Sequence, residues 1–142
     1  MIFDVDGVLA DASKRQWMIE WPNRHWDGFF QACGDDDLIE DVAATFGVLR
    51  PDLQIVLLTA RPIWVQRQTL EWLDRVDIPW DVLIMRDYGD YDASRNFKRR
   101  TLADLRAWGF DPELSYEDDP RNVMMFRAEG VPCVYIHSGY YD

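Results

Sequence analysis

Short apolar runs alternate with stretches of helical patterning along this chain. The runs fall at 2–5, 55–58, 82–85, 114–116 and 133–136, and the helical stretches cover about 38–47, 62–75, 97–108 and 120–129. Such alternation predicts βαβ units, and hence a mainly parallel sheet of five strands covered by helices on both faces. The punctuation agrees. Pro62 and Pro120 stand where two of the helices should begin, a position that suits proline, and Asp119 is a good N-cap. Gly109 and Gly130 stand where helices should end. The segment 11–36 fits this rhythm least. Within it "RHWDGFFQACGDDD" carries aromatic residues at helical spacing and predicts a short helix beside the first strand. "YGDYDASRN", 88–96, reads as a loop. Neither segment is long enough for a second domain, so residues 1–142 are expected to form a single one.

Composition narrows the picture. At 142 residues and 48% hydrophobic, the chain can bury a sizeable core and is not disordered by composition. No apolar run approaches the roughly 20 residues of a membrane span, and no secretory leader is evident. Cys33 and Cys133 match no metal spacing and read as reduced thiols, which points to a cytoplasmic protein. His25 and His137 are too few for a histidine-based zinc site. The formal net charge of −11 opposes binding along an extended duplex, which needs a basic face. It suits a small substrate, or one held only at its end. Most of the negative charge is expected on a solvated surface, "GDDD" at 34–37 included.

Some acids sit where they should not. "FDVDGVLAD" places Asp4 and Asp6 at the end of a buried strand, although an unpaired buried carboxylate is costly. Thr59 ends "IVLLT", and Glu117, Asp118 and Asp119 end "LSYEDD". In an open α/β sheet, ligands bind outside the carboxyl ends of the strands. These groups should therefore meet in one crevice, where facing carboxylates need a cation between them. Oxygen-only ligands of that charge suit magnesium. Lys98, at the start of a helix, can aim its charge at the same place.

These residues carry a resemblance. "DVDGV", "LLTAR", Lys98 and "YEDDPRN" resemble, in order, the four motifs of the haloacid dehalogenase superfamily of phosphotransferases. "LIMRDYGDYDASRNFK" and "EDDPRNVMMFRAEGVPCVYIHSG" resemble, more narrowly, the phosphatase domain of phage polynucleotide kinase, as do "WDGFF" and "TLEWL". Asp92, Asp119 and Phe126 depart from that pattern, the first two where arginine is common; Arg61, Arg86, Arg95 and Arg121 are candidates to compensate.

The resemblance implies a Rossmann-like three-layer α/β/α fold with little or no cap. It implies an aspartyl-phosphate mechanism in which Asp4 is the nucleophile and Asp6 the general acid and base. Thr59 would donate to a phosphoryl oxygen and Lys98 would stabilise the growing charge. Magnesium would be held by Asp4, the Asp6 backbone carbonyl and Asp118, with Glu117 binding through water or orienting a ligand. Arg61 and Arg86 are candidates for substrate binding. Asp119 is read as an N-cap before a ligand, and Trp17, Trp21 and Trp26 as core before a platform for base stacking.

The expected activity is magnesium-dependent removal of a terminal 3′-phosphate from nucleic acid or nucleotides in nucleic acid repair, with 2′,3′-cyclic phosphates as further substrates by analogy. No GxxxxGK[ST] loop is present, so no 5′-kinase activity is expected of this chain, and a kinase or ligase would be a partner. A phage or bacterial origin is implied by the resemblance alone. A small-molecule phosphatase such as a 5′-nucleotidase would share every catalytic residue. A non-catalytic phosphate- or metal-binding module is opposed by the intact set of five: Asp4, Asp6, Thr59, Lys98 and Asp118.

Overall fold

The computed structural model describes residues 1–22 and 24–141. Strands β1 (Ile2–Phe3), β4 (Val56–Pro62), β5 (Val82–Arg86), β6 (Ser115–Glu117) and β7 (Cys133–Tyr135) form one sheet in the order β5-β4-β1-β6-β7, and every pairing in it is parallel. A short antiparallel pair, β2 (Ala10–Asp11) with β3 (Asp37–Leu38), lies outside the main sheet and is not evident in the sequence pattern. The helices are α1 (Trp26–Gln31), α2 (Glu40–Ala43), α3 (Gln66–Val76), α4 (Ser94–Ala107) and α5 (Pro120–Ala128). None is long and apolar enough to cross a membrane.

The period of two along a strand splits the core into two layers. Phe3 and Leu57 point to one side, where Val42 of α2 and Trp72 and Leu73 of α3 pack. Ile2, Val56 and Leu58 point to the other, against Phe97, Leu102 and Leu105 of α4 and Val123 and Phe126 of α5. The expected three-layer α/β/α architecture follows, with no large cap.

Two boundaries differ from the sequence reading. Pro62 does not open a helix. It ends β4 and pairs with Arg86, after a break in register beyond Leu58, and a 3-10 turn (Ile63–Val65) precedes α3. The helix expected over 38–47 is a single α turn followed by a 3-10 helix (Ala44–Val48). Pro120, by contrast, stands at the start of α5, and Asp119 caps it by accepting the Arg121 backbone N–H at 2.9 Å. Gly109 and Gly130 have φ of 96° and 81°, the left-handed conformation that ends a helix.

Candidate active site

Strand register brings the acids together. Phe3 lies level with Leu57 of β4 and Tyr116 of β6, so the residues that follow each of them emerge at the same end of the sheet. Asp4 continues the ladder by donating its N–H to the Tyr116 carbonyl at 3.0 Å. The chain then turns at Gly7, whose φ is 77°. A Cβ there would overlap the Asp118 carboxylate, so glycine both makes the turn and lets the first loop approach the last acid.

Asp4, Glu117 and Asp118 are buried, and each offers a carboxylate oxygen within 4.8 Å of the others. Lys98 lies on the inner face of α4 with Leu102 and Leu105, only 1% exposed. Its Nζ is 2.6 Å from Glu117 Oε2 and 3.0 Å from Asp4 Oδ2. Glu117 Oε1 accepts the backbone N–H groups of Asp118 and Asp119, so this carboxylate is already engaged at both oxygens. Asp4 Oδ1 accepts the Val5 N–H at 2.8 Å. Both oxygens of Asp118 are buried with no hydrogen-bond partner. Burial, then the charge of Asp4, pushes the Asp118 carboxyl up to about 7. Burial, and then Glu117, also raises Asp4 against the pull of Lys98. Orphaned buried oxygens beside a second carboxylate are a donor set for a hard divalent cation, so the residues present fit magnesium.

Asp6 is handled differently. Arg61 Nη2 lies 2.7 Å from Asp6 Oδ1, and Arg15 Nη2 donates to the same oxygen. Burial opposes ionisation of Asp6, but these two guanidinium groups outweigh it and hold the carboxyl down at about 2. Both arginines also reach Asp36 Oδ2, at 2.6 Å from Arg15 and 3.2 Å from Arg61. Two cations and two carboxylates thus form one closed network at the base of the site. Arg61 is 0% exposed, donates to the Thr69 hydroxyl as well, and does not line the crevice. Arg61, expected to bind substrate, here holds Asp6. Asp36, 4% exposed, corrects the reading of 34–37 as a solvated turn. Arg15 and Asp36 are the site residues that the sequence reading passed over. The only signal was a basic residue and an acidic run flanking the aromatic segment.

Asp4, Asp6 and Thr59 open into a crevice of about 640 Å³. Thr59, 1% exposed, lines the crevice, and its Oγ1 accepts the Arg61 backbone N–H at 3.1 Å. Arg86 also lines the crevice, with Nη1 donating to the carbonyls of Asp90 and Asp92. Asp92, one of the positions where arginine was expected, pairs with Arg100 at 2.7 Å. Trp17, Trp21 and Trp26 are 57%, 80% and 48% exposed, so they are not core residues; Trp26 lines the crevice.

The family model for the polynucleotide kinase PNKP phosphatase domain matches residues 1–141. The chain belongs to this family of phosphatase domains. A solved structure of a Pnkp1/Rnl/Hen1 complex and one of the Pnkp1/Rnl/Hen1 RNA repair complex match with TM-scores of 0.80 and 0.79 at 22% and 23% identity. The chain is covered at 96% and 95%, but it spans only 44% and 41% of the chains it matches. A putative phosphoglycolate phosphatase from Lactobacillus plantarum matches at a TM-score of 0.62 and 14% identity, covering 97% of this chain and 86% of that one. At these identities the structures establish the shared haloacid dehalogenase-type fold. None of the curated proteins compared matches the chain. Membership of the PNKP phosphatase family makes a phosphate ester hydrolase the right chemical class in which to read the Asp4 cluster.

Proposed function

We propose that this chain is a magnesium-dependent phosphatase that removes a terminal 3′-phosphate from nucleic acid or nucleotides through an aspartyl-phosphate on Asp4. The observation that carries the reading is the buried pairing of Asp4 with Lys98 beside the partnerless Asp118 carboxylate, with Asp4 itself lining an open crevice. The 3′ end as substrate is supported by the family match.

Asp4 attacks phosphorus, forming a carboxylate–phosphorus bond as the bond to the 3′ oxygen breaks. Lys98 and the Thr59 hydroxyl donate to phosphoryl oxygens as negative charge grows there. Asp4, Asp118 and the Asp6 backbone carbonyl would hold magnesium, which neutralises charge between the carboxylates and the phosphate when bound. Glu117, locked by Lys98 and two backbone N–H groups, orients the lysine. Asp6, ionised in the resting protein, takes a proton from the water that hydrolyses the aspartyl-phosphate. Before that, the charge of an incoming phosphate raises the proton affinity of Asp6, which takes up a proton from solvent, delivers it to the leaving 3′ oxygen as the P–O bond breaks, and is ionised again for the hydrolytic water.

The two cations that line the crevice, Arg86 and Arg121, are each engaged by aspartates, which also favours a second reading, a phosphatase of small phosphate esters such as a 5′-nucleotidase. The two separate on matched oligonucleotides carrying either a 3′- or a 5′-phosphate, with mononucleotides alongside. The first reading expects magnesium-dependent phosphate release confined to 3′-phosphates and abolished by Asp4→Asn. Release from 5′-mononucleotides in preference to any 3′-phosphate would establish the second.

A further inference from the structure

The crevice above Asp4 is walled by rings and rimmed by acids. Trp26 and Phe30 of α1 stack at 5.9 Å and 27°, and Phe30 meets Trp64 edge-on at 6.4 Å and 86°. Tyr88 and Tyr91 line the same crevice from the loop that follows β5, 80% and 94% exposed. That loop is pinned. Arg86 donates to the carbonyls of Asp90 and Asp92, and Arg100 bridges the carboxylates of both, at 2.8 Å and 2.7 Å. Two large rings are therefore held out into the crevice without packing against the core, on a segment whose backbone is fixed. Free rings on fixed backbone are a stacking surface, because ordering them costs little entropy at the moment of binding.

The charges exclude another kind of ligand. Among the described residues that line the crevice, seven are aspartates and two are cations. Arg86 lies 3.7 Å from the Asp90 carboxylate, and Arg121 makes a two-pronged contact with Asp119, at 3.0 Å and 2.9 Å. A strand held by its phosphates needs lysine or arginine free to replace counterions. Here the cations are engaged and the acids outnumber them, so phosphodiesters entering this space meet like charge.

We infer that the crevice recognises a nucleoside phosphate, free or at a strand end, by stacking on the terminal nucleoside alone, with the phosphodiester backbone contributing nothing to affinity. The inference rests on the phosphatase reading for where the terminal phosphate sits. Base stacking on aromatic side chains is worth roughly 1–3 kcal/mol per base, or about 5- to 150-fold.

The test compares kcat/KM, with magnesium, for a nucleoside 3′-phosphate, an oligonucleotide with the same 3′-phosphorylated end, and an abasic sugar 3′-phosphate. The free nucleotide and the strand end should fall within about threefold of each other. The abasic substrate should fall about 5- to 150-fold lower. Raising salt from 50 to 200 mM should leave the rate on the strand end nearly unchanged, against a slope of about −0.7 per phosphate contacted in a single strand. Tyr91→Ala and Trp64→Ala should narrow the gap between base-bearing and abasic substrates, and Tyr91→Phe should keep it. Equal rates with and without the base, or a strand preferred more than tenfold over the nucleotide with a steep salt slope, would overturn the inference. Fluorescence titration of the Asp4→Asn protein with the same three compounds reads the preference without turnover. If no phosphate ester is hydrolysed yet the base-bearing compounds still bind more tightly, the phosphatase reading fails and the stacking site stands. If they bind no better than the abasic one, the stacking site itself fails.

Discussion

Asp118 and Asp6 are buried carboxylates with opposite fates, and the difference is who faces them. Asp118 has no hydrogen-bond partner and is pushed up to about 7, so without a cation the folded chain holds a proton that the unfolded chain releases from about pH 4 upward. Stability in EDTA should therefore fall as pH rises from 4 to 8. Asp118→Asn should be more stable than wild type at pH 8 in EDTA, by roughly 3 kcal/mol, and should gain nothing from magnesium, whereas wild type gains. Urea denaturation with and without the cation measures both; a variant less stable than wild type in EDTA would contradict the assignment. Asp6 has the reverse sign. Its folded value is about 2, below the unfolded value of 3.8, so its contribution is complete above about pH 5 and is lost as pH falls through 4 toward 2. The stability difference between wild type and Asp6→Asn should shrink by about 2 kcal/mol across that window; a difference independent of pH would show that the arginines do not hold it ionised. Asp4, Asp6, Glu117 and Asp118 stand out as candidates in the sequence because charge at the end of an apolar strand is conspicuous. Thr59 and Lys98 are candidates through their place at a strand end and in a helix, and through the family resemblance. Arg15 and Asp36 do not stand out, because nothing in a sequence says which distant base will meet which acid once both are buried.

At the scale of elements, α5 shows why the acidic motif keeps its shape. Asp119 accepts the Arg121 backbone N–H and pairs with its side chain, so it fixes the first turn of the helix immediately after Asp118. Asp119→Ala should cost about 1 kcal/mol of stability and should weaken magnesium binding by displacing the neighbouring ligand, both measurable by thermal unfolding with and without the cation. A loss of stability with unchanged magnesium dependence would separate the cap from the site. The five strands of the main sheet were readable from apolar runs because a parallel sheet buried on both faces leaves an unbroken hydrophobic signature. The stretch from 11 to 36 was not. It folds as a 3-10 helix (Ser13–Met18), a short α1 and a second 3-10 helix (Ala32–Asp35), none long enough to show a period. The exposure of Trp17, Trp21 and Trp26 follows from the same fact, since hydrophobic character without a period does not say which side is covered.

The whole molecule concentrates its unfavourable electrostatics at one end of one sheet. Two parallel strands, β4 and β1, deliver Thr59 and Asp4 to a single crevice, and β6 sets the Glu117–Asp118 pair beside Asp4, while the two packed layers beneath carry the stability. Under the proposed function, carboxylates ending buried strands are completed by a cation and a phosphate. The central claim is that Asp4 takes the phosphate from a 3′ end, and a single turnover tests it. An oligonucleotide carrying a radiolabelled 3′-phosphate is mixed with excess protein and magnesium and quenched in acid, and the label on protein is located by peptide mapping. The account predicts label on Asp4, acid-stable and released by hydroxylamine, absent in Asp4→Asn and absent when the label is at the 5′ end. Phosphate released without label ever reaching Asp4, or label taken equally from 5′ ends, would contradict it.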